Sequence, residues 1–414
     1  MRTLLLMMAA LSATATNLRA EDWPAWRGVR GDGASLETNI PVRWGPGDNI
    51  AWKTPIPGKG HASPVVAGGK VYVITCTEDD QTRRLLCLDR RDGRVLWQRE
   101  VLKAPLEGKN RLNSHASSTP AADDKRVWVT FLAAPKVWVV CYDTQGKELW
   151  RVCPGEHYSK HGYCSTIIPY KDWIILNCDQ DAPEGKRAYI VALDKATGAE
   201  KWRIDRPNRI RSYSPPYIVE AAGRTQMVLS GCKCVASYDP DTGRQYWIID
   251  GPTEQFVASM VFHQGVFCIT GGYPTLHVLG IKPDGQGNVT DTHVLWHIKK
   301  SATCHPSYVP SPVAAAGCFF IVSDFGYAQA MEAATGKMLW LERLSKHHSA
   351  SPVLAEGRVY FTDDDGVTDV VKAGRTFERI ARNELGEKCF ASPAISDGQI
   401  IFRTDKSVIC VGKK

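Results

Sequence analysis

Long apolar runs and strongly basic segments are both scarce in this sequence. After residue 11 no apolar run is long enough to cross a bilayer. The formal net charge is +7 over 414 residues, and no block of Lys and Arg is interleaved with aromatic residues. The sequence also lacks G-x-S-x-G, H-E-x-x-H, Walker and other phosphate-binding glycine-rich motifs. We therefore expect no nucleic-acid partner, no integral membrane segment and none of the catalytic sites that these motifs mark.

The first 20 residues have the pattern of a signal peptide. Arg2 supplies a positive start, an apolar run covers residues 4–11, and Ala20 ends a Ser/Thr/Ala-rich stretch before Glu21. Cleavage near Ala15 is the alternative. The first cysteine is Cys76, so the apolar run is not followed by a lipidation motif. We expect a periplasmic or secreted protein.

Cysteine is present in an odd number, thirteen, which complete pairing cannot satisfy. Most of these residues lie inside apolar, strand-like runs, where cysteine behaves as a small buried hydrophobe. Cys232 and Cys234 are the closest pair, but their spacing fits neither a zinc knuckle nor a redox C-x-x-C motif. Buried free thiols are the main interpretation, and one or two disulfides are the alternative in an oxidising compartment.

One phrase occurs six times between residues 88 and 340: an apolar residue, a turn rich in Asp and Gly, and then Trp. Two copies read LDKATGAEKW (193–202) and YDPDTGRQYW (238–247), and the fifth copy is stretched. The steps between the closing tryptophans run from 44 to 53 residues, at Trp97, Trp150, Trp202, Trp247, Trp296 and Trp340. A period in this range is typical of repeat arrays such as β-propellers.

Each phrase follows two further strand signals, so one unit reads as a four-stranded meander. Two more units without Trp cover residues 349–385 and 390–414, and the last has only three strands. Residues 49–53 resemble the missing fourth strand, and pairing them with the last unit would close a ring and remove both open sheet edges. The sequence therefore predicts an all-β fold, an eight-bladed β-propeller of four-stranded antiparallel blades over residues 49–414. Seven blades is the alternative.

The remaining residues before the ring, 21–48, form an N-terminal extension whose role the sequence leaves open. The repeated Trp has a structural explanation, because a large aromatic on an outer strand covers the gap between two blades. The Asp and Gly before it form a tight turn. We assign no chemistry to these residues. One closed ring predicts a single domain, and we expect a monomer.

The repeated phrases resemble the repeat of pyrroloquinoline-quinone (PQQ) enzymes: a small residue, Asp, a Thr-Gly turn and Trp. Residues 193–202 and 238–247 match it closely, and the resemblance covers residues 49–414. Two groups share this repeat: PQQ-dependent alcohol and sugar dehydrogenases, and non-catalytic propellers similar to the outer-membrane-protein assembly factor BamB. The opening WPAWRG (23–28), with Gly31-Asp32-Gly33, looks like the start of secreted bacterial PQQ-like repeat proteins.

The resemblance implies the fold more strongly than it implies an activity, because a blade alone binds no cofactor. The dehydrogenases carry two adjacent bridged cysteines beneath the quinone, and this sequence has no Cys-Cys dipeptide. They also carry long insertions around the site, whereas this chain is nearly bare repeats. BamB proteins are anchored by a lipidated cysteine, which is absent here. We expect no cofactor, and PQQ with calcium remains the alternative.

Two sets of side chains are predicted at one mouth of the central channel. Every innermost strand begins with a hydroxyl residue, at Ser63, Thr119, Ser165, Ser214, Ser259, Ser311, Ser351 and Ser392. These hydroxyls either satisfy backbone groups at the strand starts or form a polar ring in the channel. Just upstream lie the candidate ligand-binding residues His61, His115, His161, Arg211, His305, His347, His348 and Lys388. No metal site is predicted, and the catalytic residues are unknown.

Three hypotheses for function follow. The first is a non-catalytic binding or scaffolding propeller that holds a protein, peptide or glycan at the mouth or along the outer sheet edges. The second is a PQQ-dependent dehydrogenase with quinone and calcium in the channel. The third is a lyase or hydrolase of acidic sugars that uses the His, Arg and Lys rim to collect anions. His/Asp pairs at the mouth are suited to acid–base chemistry, but the sequence does not say which of them meet.

Overall fold

A computed structural model describes residues 21–413, so the predicted signal peptide lies outside the described residues. The described residues form 34 strands in eight sheets. The predicted all-β, eight-bladed propeller is confirmed. Within this part of the chain there is no helix long and apolar enough to cross a membrane.

The strands follow the chain order with four to a blade. Before the first blade lie β1 (Ala34–Ser35) and β2 (Ile50–Pro55). Blade 1 consists of β3 (Val65–Ala67), β4 (Lys70–Thr77), β5 (Thr82–Asp89) and β6 (Val95–Lys103). Blade 2 consists of β7 (Ala121–Ala122), β8 (Arg126–Ala133), β9 (Lys136–Asp143) and β10 (Glu148–Glu156). Blade 3 consists of β11 (Ile168–Tyr170), β12 (Trp173–Cys178), β13 (Tyr189–Asp194) and β14 (Glu200–Asp205).

Blade 4 consists of β15 (Tyr217–Ala221), β16 (Arg224–Gly231), β17 (Cys234–Tyr238) and β18 (Gln245–Asp250). Blade 5 consists of β19 (Val261–His263), β20 (Val266–Gly271), β21 (His277–Ile281) and β23 (Val294–Lys299). Blade 6 consists of β24 (Val313–Ala315), β25 (Cys318–Val322), β26 (Tyr327–Glu332) and β27 (Met338–Arg343). The short β22 (Gly287–Asn288) precedes β23. Blade 7 contains β28 (Val353–Ala355), β29 (Arg358–Thr362), β30 (Val367–Lys372) and β31 (Arg379–Glu384), and blade 8 contains β32 (Ala394–Ser396), β33 (Gln399–Arg403) and β34 (Ser407–Val411).

The ring closes within blade 8. Strand β2 pairs antiparallel with β34, and Trp52 lies opposite Cys410, so the sheet order is β2-β34-β33-β32. The first strands of neighbouring blades contact one another, as β3 does with β7 and with β32. The first strand of each blade is therefore the innermost one, and the channel runs along these strands.

Five of the six repeated tryptophans join their blade to the next, as the sequence suggested. The Trp150 Nε1 in blade 2 donates a hydrogen bond of 3.2 Å to the Lys195 carbonyl in the turn of blade 3. The indole lies against Gly198 of that turn, where an added Cβ would be only 2.7 Å from the ring. Trp52 in blade 8 makes the same contact with blade 1, through the Arg90 carbonyl at 2.9 Å. The ring closure therefore repeats the contact between consecutive blades.

Trp247 in blade 4 departs from this pattern. Its Nε1 donates to Gln226 Oε1 at 2.9 Å, within its own blade. The stretched fifth phrase folds back so that β22 pairs in parallel with β18. Gly285 in this phrase lies against the Trp247 ring, which is fully buried. The longer turn therefore covers this tryptophan.

The N-terminal extension crosses the channel. The backbones of Trp23 and Val66 in blade 1 exchange hydrogen bonds of 3.0 and 2.8 Å, and the Trp26 Nε1 donates to Ser259 Oγ in blade 5 at 2.9 Å. Strand β1 then pairs in parallel with β28 of blade 7. Residues 21–36, which we call the N-terminal plug, thus contact blades on opposite sides of the ring.

Arg27 anchors the plug although it has no carboxylate partner within ion-pair distance among the described residues. Its guanidinium donates to the carbonyls of Asp32 (2.6 Å), Ser311 (3.3 Å) and Pro312. The side chain is buried, and burial lowers the pKa of this guanidinium to about 10. The carbonyl oxygens of Ser311 and Pro312, just before strand β24, therefore take the place of a carboxylate partner for the Arg27 guanidinium.

All thirteen cysteines are free thiols, and eleven of them are buried. This agrees with the main interpretation of the sequence. Cys153 is the exposed thiol, and Cys164 is partly buried near the channel. The stability of the ring therefore depends on packing between blades and on the β2–β34 pairing rather than on cross-links.

Candidate functional site

The opposite end of the channel is open and forms a cavity of about 340 Å³. We call this end the mouth face. It carries the segments that precede the innermost strands and the loops that join the second and third strands of each blade. Every one of the eight blades contributes at least one residue to the cavity wall, and Trp26 of the plug lines it from the N-terminal side. The cavity therefore lies between the plug and the mouth face.

The predicted ring of hydroxyls is built into the cavity wall. The backbone N–H groups of Ser259, Ser311 and Ser351 donate to the next hydroxyl around the ring, over 2.9, 2.9 and 2.8 Å. The Ser63 N–H donates to Thr119 Oγ1 in the same way at 3.1 Å. The hydroxyls thus satisfy backbone groups of the neighbouring blade, and those of Thr119, Ser351 and Ser392 also line the cavity.

His61, His161 and His347 line the cavity, as three of the eight candidate residues. The His61 ring stacks on Phe390, with centroids 4.7 Å apart, and its Nδ1 lies 3.1 Å from the Leu112 carbonyl. Burial is the main cause that lowers the pKa of His61 to about 4. Burial also lowers the pKa of His161, and the Arg211 charge acts in the same direction. Both imidazoles are therefore neutral near pH 7.

His347 forms the closest His/Asp pair of the mouth face. Its Nδ1 lies 2.5 Å from Asp364 Oδ2. Ser349 orients that carboxylate, through its N–H at 2.7 Å and its hydroxyl at 3.2 Å. Burial raises the pKa of the Asp364 carboxyl. The pair fixes the imidazole orientation at the cavity wall.

The other candidate residues do not line the cavity. Arg211 makes a bidentate ion pair with Asp181, at 3.0 and 2.9 Å. His115 contacts Glu78 and the Glu107 carbonyl, and His305 stacks on Tyr327 with centroids 4.0 Å apart. Lys388 is exposed at the rim. Arg211 and His115 are thus each held by an acidic residue of the preceding blade.

His348 lies in the core instead of at the mouth. It is 1% exposed, and its Nδ1 is 2.9 Å from the Thr362 carbonyl. Burial lowers the pKa of His348 to about 4. The adjacent His347 faces the cavity because successive residues of an extended segment point to opposite sides.

Sequence reasoning missed the aromatic residues of the cavity, Tyr213, Tyr308 and Phe390. A signal was present: each precedes a ring hydroxyl by one to three positions. The Tyr213 hydroxyl is fixed 2.7 Å from Ser159 Oγ. Together with Trp26 these rings give the cavity four aromatic side chains.

Charge is nearly absent from the cavity wall. No Lys or Arg lines it, and Asp324 is its one carboxyl side chain among the described residues. Asp324 Oδ2 accepts the Tyr308 N–H at 2.6 Å, and its Oδ1 accepts the Val309 N–H at 3.1 Å. Burial raises the pKa of Asp324. No group of three or more His, Cys, Asp or Glu in residues 21–413 is arranged to hold a metal ion.

These features define a class: an eight-bladed propeller with a central cavity. The chain belongs to the PQQ-like repeat family described as "Outer membrane protein assembly factor BamB", whose model matches residues 46–134, 135–264 and 233–376. No curated protein sequence matches it.

Solved structures share the fold at low identity. BamB from Moraxella catarrhalis is 14% identical, with a TM-score of 0.59 over 87% of this chain and 96% of that one. The quinohemoprotein alcohol dehydrogenase from Comamonas testosteroni is also 14% identical, with a TM-score of 0.67 over 95% and 81%. A europium-containing methanol dehydrogenase is 13% identical, with a TM-score of 0.64 over 94% and 89%. At this identity the likeness shows the fold alone.

Proposed function

We propose that the protein is an exported, non-catalytic binding module that holds a protein, peptide or glycan ligand in the cavity of the mouth face. The observation that carries the proposal is the cavity itself: all eight blades build it, and Trp26 of the chain's own plug lines it, held by a hydrogen bond to Ser259. The description of its family as an outer membrane assembly factor supports a binding role and an exported location.

The dehydrogenase hypothesis requires a site for PQQ, which is a polycarboxylate. The cavity wall has no Lys or Arg side chain to neutralise those carboxylates. The described residues also lack a cluster of metal-ligating side chains for the accompanying cation. The residues present therefore do not fit quinone and calcium, and we derive no oxidation step for this chain.

The acidic-sugar hypothesis has the same difficulty. The hypothesis requires Arg211 to attract anions, but the Arg211 guanidinium is already paired with Asp181. Lys388 lies outside the cavity wall. An anionic substrate would thus meet no Lys or Arg side chain on the cavity wall.

Binding to defined peptide and glycan arrays tests the proposal. We expect the wild-type protein to retain a ligand that Phe390→Ala loses, because Phe390 lines the cavity. Leu149→Ala is the control, since Leu149 is 44% exposed on the outer strand β10. Equal retention by both variants would place the ligand elsewhere and contradict the proposal. Stoichiometric uptake of added PQQ with calcium would replace it with the dehydrogenase hypothesis.

A further inference from the structure

The charge of the cavity restricts the ligands that it can hold. An anionic group would find no Lys or Arg side chain on the wall. A cationic group would find Asp324, but both oxygens of this carboxylate already accept backbone N–H groups. Burial is the main cause that lowers the pKa of His61, and the charges of Arg403, Lys109 and Lys59 act in the same direction. None of these three side chains lines the wall, so a charged group inside the cavity does not meet them directly. Desolvating an unpaired charge is costly, so an uncharged ligand is favoured.

The cavity nevertheless offers many hydrogen-bonding groups. The hydroxyls of Thr119, Ser351 and Ser392 each accept a backbone N–H, which leaves the hydroxyl proton free to be donated. Asn110 and the neutral His161 are also on the wall. A ligand that matches them must carry hydroxyl or ether oxygens at several positions.

The aromatic rings of the cavity are held in place before any ligand arrives. Phe390 stacks on His61, Tyr213 is hydrogen-bonded to Ser159, and Trp26 is hydrogen-bonded to Ser259. Rigid rings bind with little loss of side-chain entropy. Their faces pack well against the C–H face of a sugar ring, whose hydroxyls then point outward to the polar groups of the wall.

The volume of the cavity limits the length of ligand that enters. About 340 Å³ lies near the lower end of small-ligand sites, which span roughly 300–1,000 Å³. A folded partner or a long chain therefore does not fit inside, whereas the end of a chain does.

We propose that the cavity binds the terminal, uncharged sugar of a glycan, with Phe390 and Tyr213 as ring platforms and the strand-start hydroxyls as donors. This inference rests on the proposed binding function and names the ligand class for the same site.

A matched set of sugars tests the inference by isothermal titration. Glycans ending in galactose, galacturonic acid or galactosamine differ at the terminal ring mainly in charge. We expect the neutral end to bind about tenfold or more tightly than the acidic and amino ends, because each charged end must be desolvated without a partner. Tighter binding of either charged end would overturn the inference.

Variants locate the binding site and keep the test independent of folding. Phe390→Ala should weaken binding of the neutral glycan by about tenfold, and Leu149→Ala should leave it unchanged. Asn110→Ala removes an amide from the cavity wall, so it should weaken binding. The residue is exposed, and its side chain accepts only the Leu112 N–H of its own loop, so thermal stability should change little. If Phe390→Ala fails to fold, Asn110→Ala decides the question, and unchanged binding in it would overturn the inference.

The outcomes for the two proposals are distinct. Cavity-dependent binding of a peptide, with no glycan bound, would overturn the sugar inference and leave the binding module standing. Absence of cavity-dependent binding to both peptides and glycans would overturn both proposals.

Discussion

The indole of Trp150 in blade 2 lies flat against Gly198 in the turn of blade 3. The positive φ of Gly198, +74°, and the ring at 2.7 Å from an added Cβ leave no room for a side chain. This contact recurs from blade to blade and explains why each phrase keeps Gly a few residues before its Trp. Each phrase therefore supplies a Gly that contacts the Trp of the preceding blade and a Trp that contacts the Gly of the next blade.

Gly198→Ala is expected to destabilise the protein by about 2–4 kcal/mol, since it combines backbone strain with a clash against the Trp150 ring. The matched control is Gly185→Ala. Gly185 has nearly the same φ, +76°, but no atom within 4 Å of an added Cβ. Its cost should be backbone strain alone, about 1 kcal/mol. Urea unfolding measures the free energy of unfolding of both variants. Equal decreases would show that the contact between Trp150 and Gly198 does not restrict the size of the side chain at residue 198.

The second prediction concerns Arg27 and the plug. Arg27→Met keeps much of the side-chain volume but removes the hydrogen bonds to three carbonyls. We expect residues 21–36 to exchange amide hydrogens faster by at least about tenfold, because each lost bond to a charged donor is worth roughly 1.5–3 kcal/mol. Arg91→Met is the control, since the Arg91 side chain is 87% exposed. Unchanged exchange in Arg27→Met would show that Trp23 and β1 suffice to hold the plug.

The third prediction is a loss of stability in acid. Burial lowers the pKa of His157 and His348 to about 4 in the folded protein, against about 6.5 in an unfolded chain. Below pH 6.5 the unfolded state binds protons that the folded state does not. Their contribution to stability is therefore complete above pH 6.5 and is lost as the pH falls towards 4.

Unfolding free energies measured between pH 7 and pH 4.5 test this effect. The difference in slope between the wild-type protein and His348→Gln isolates one histidine from the titrating carboxylates. We expect His348→Gln to remove up to about 1.4 kcal/mol per pH unit from the slope. Parallel curves would mean that His348 is protonated as readily in the folded protein as in the unfolded one.

The sequence predicted the ring well because its information is repeated. Six Trp phrases and two further units without Trp gave the count of eight blades. The three-stranded last unit predicted pairing with residues 49–53, and Trp52 lies opposite Cys410 as a closed ring requires. The hydroxyls were placed correctly because each occupies the same position in its blade. Agreement between independent local signals is what makes a fold predictable.

The cavity was predicted less well because its residues lie in irregular loops of different lengths. His347 and His348 are neighbours in sequence, yet one lines the cavity and the other is buried. Trp26 reaches the cavity only because the plug crosses the channel, a path that no repeat specifies. The aromatic residues carried a weak signal next to the hydroxyls, which becomes visible once the blades are aligned.

The location of a bound ligand tests the central claim most directly. A crystal structure of the protein with a neutral glycan from the array would show where the terminal sugar lies. We expect the sugar ring to fill the cavity between Trp26 and the mouth, in contact with Phe390. A sugar bound along the outer strands, with the cavity unchanged, would contradict it.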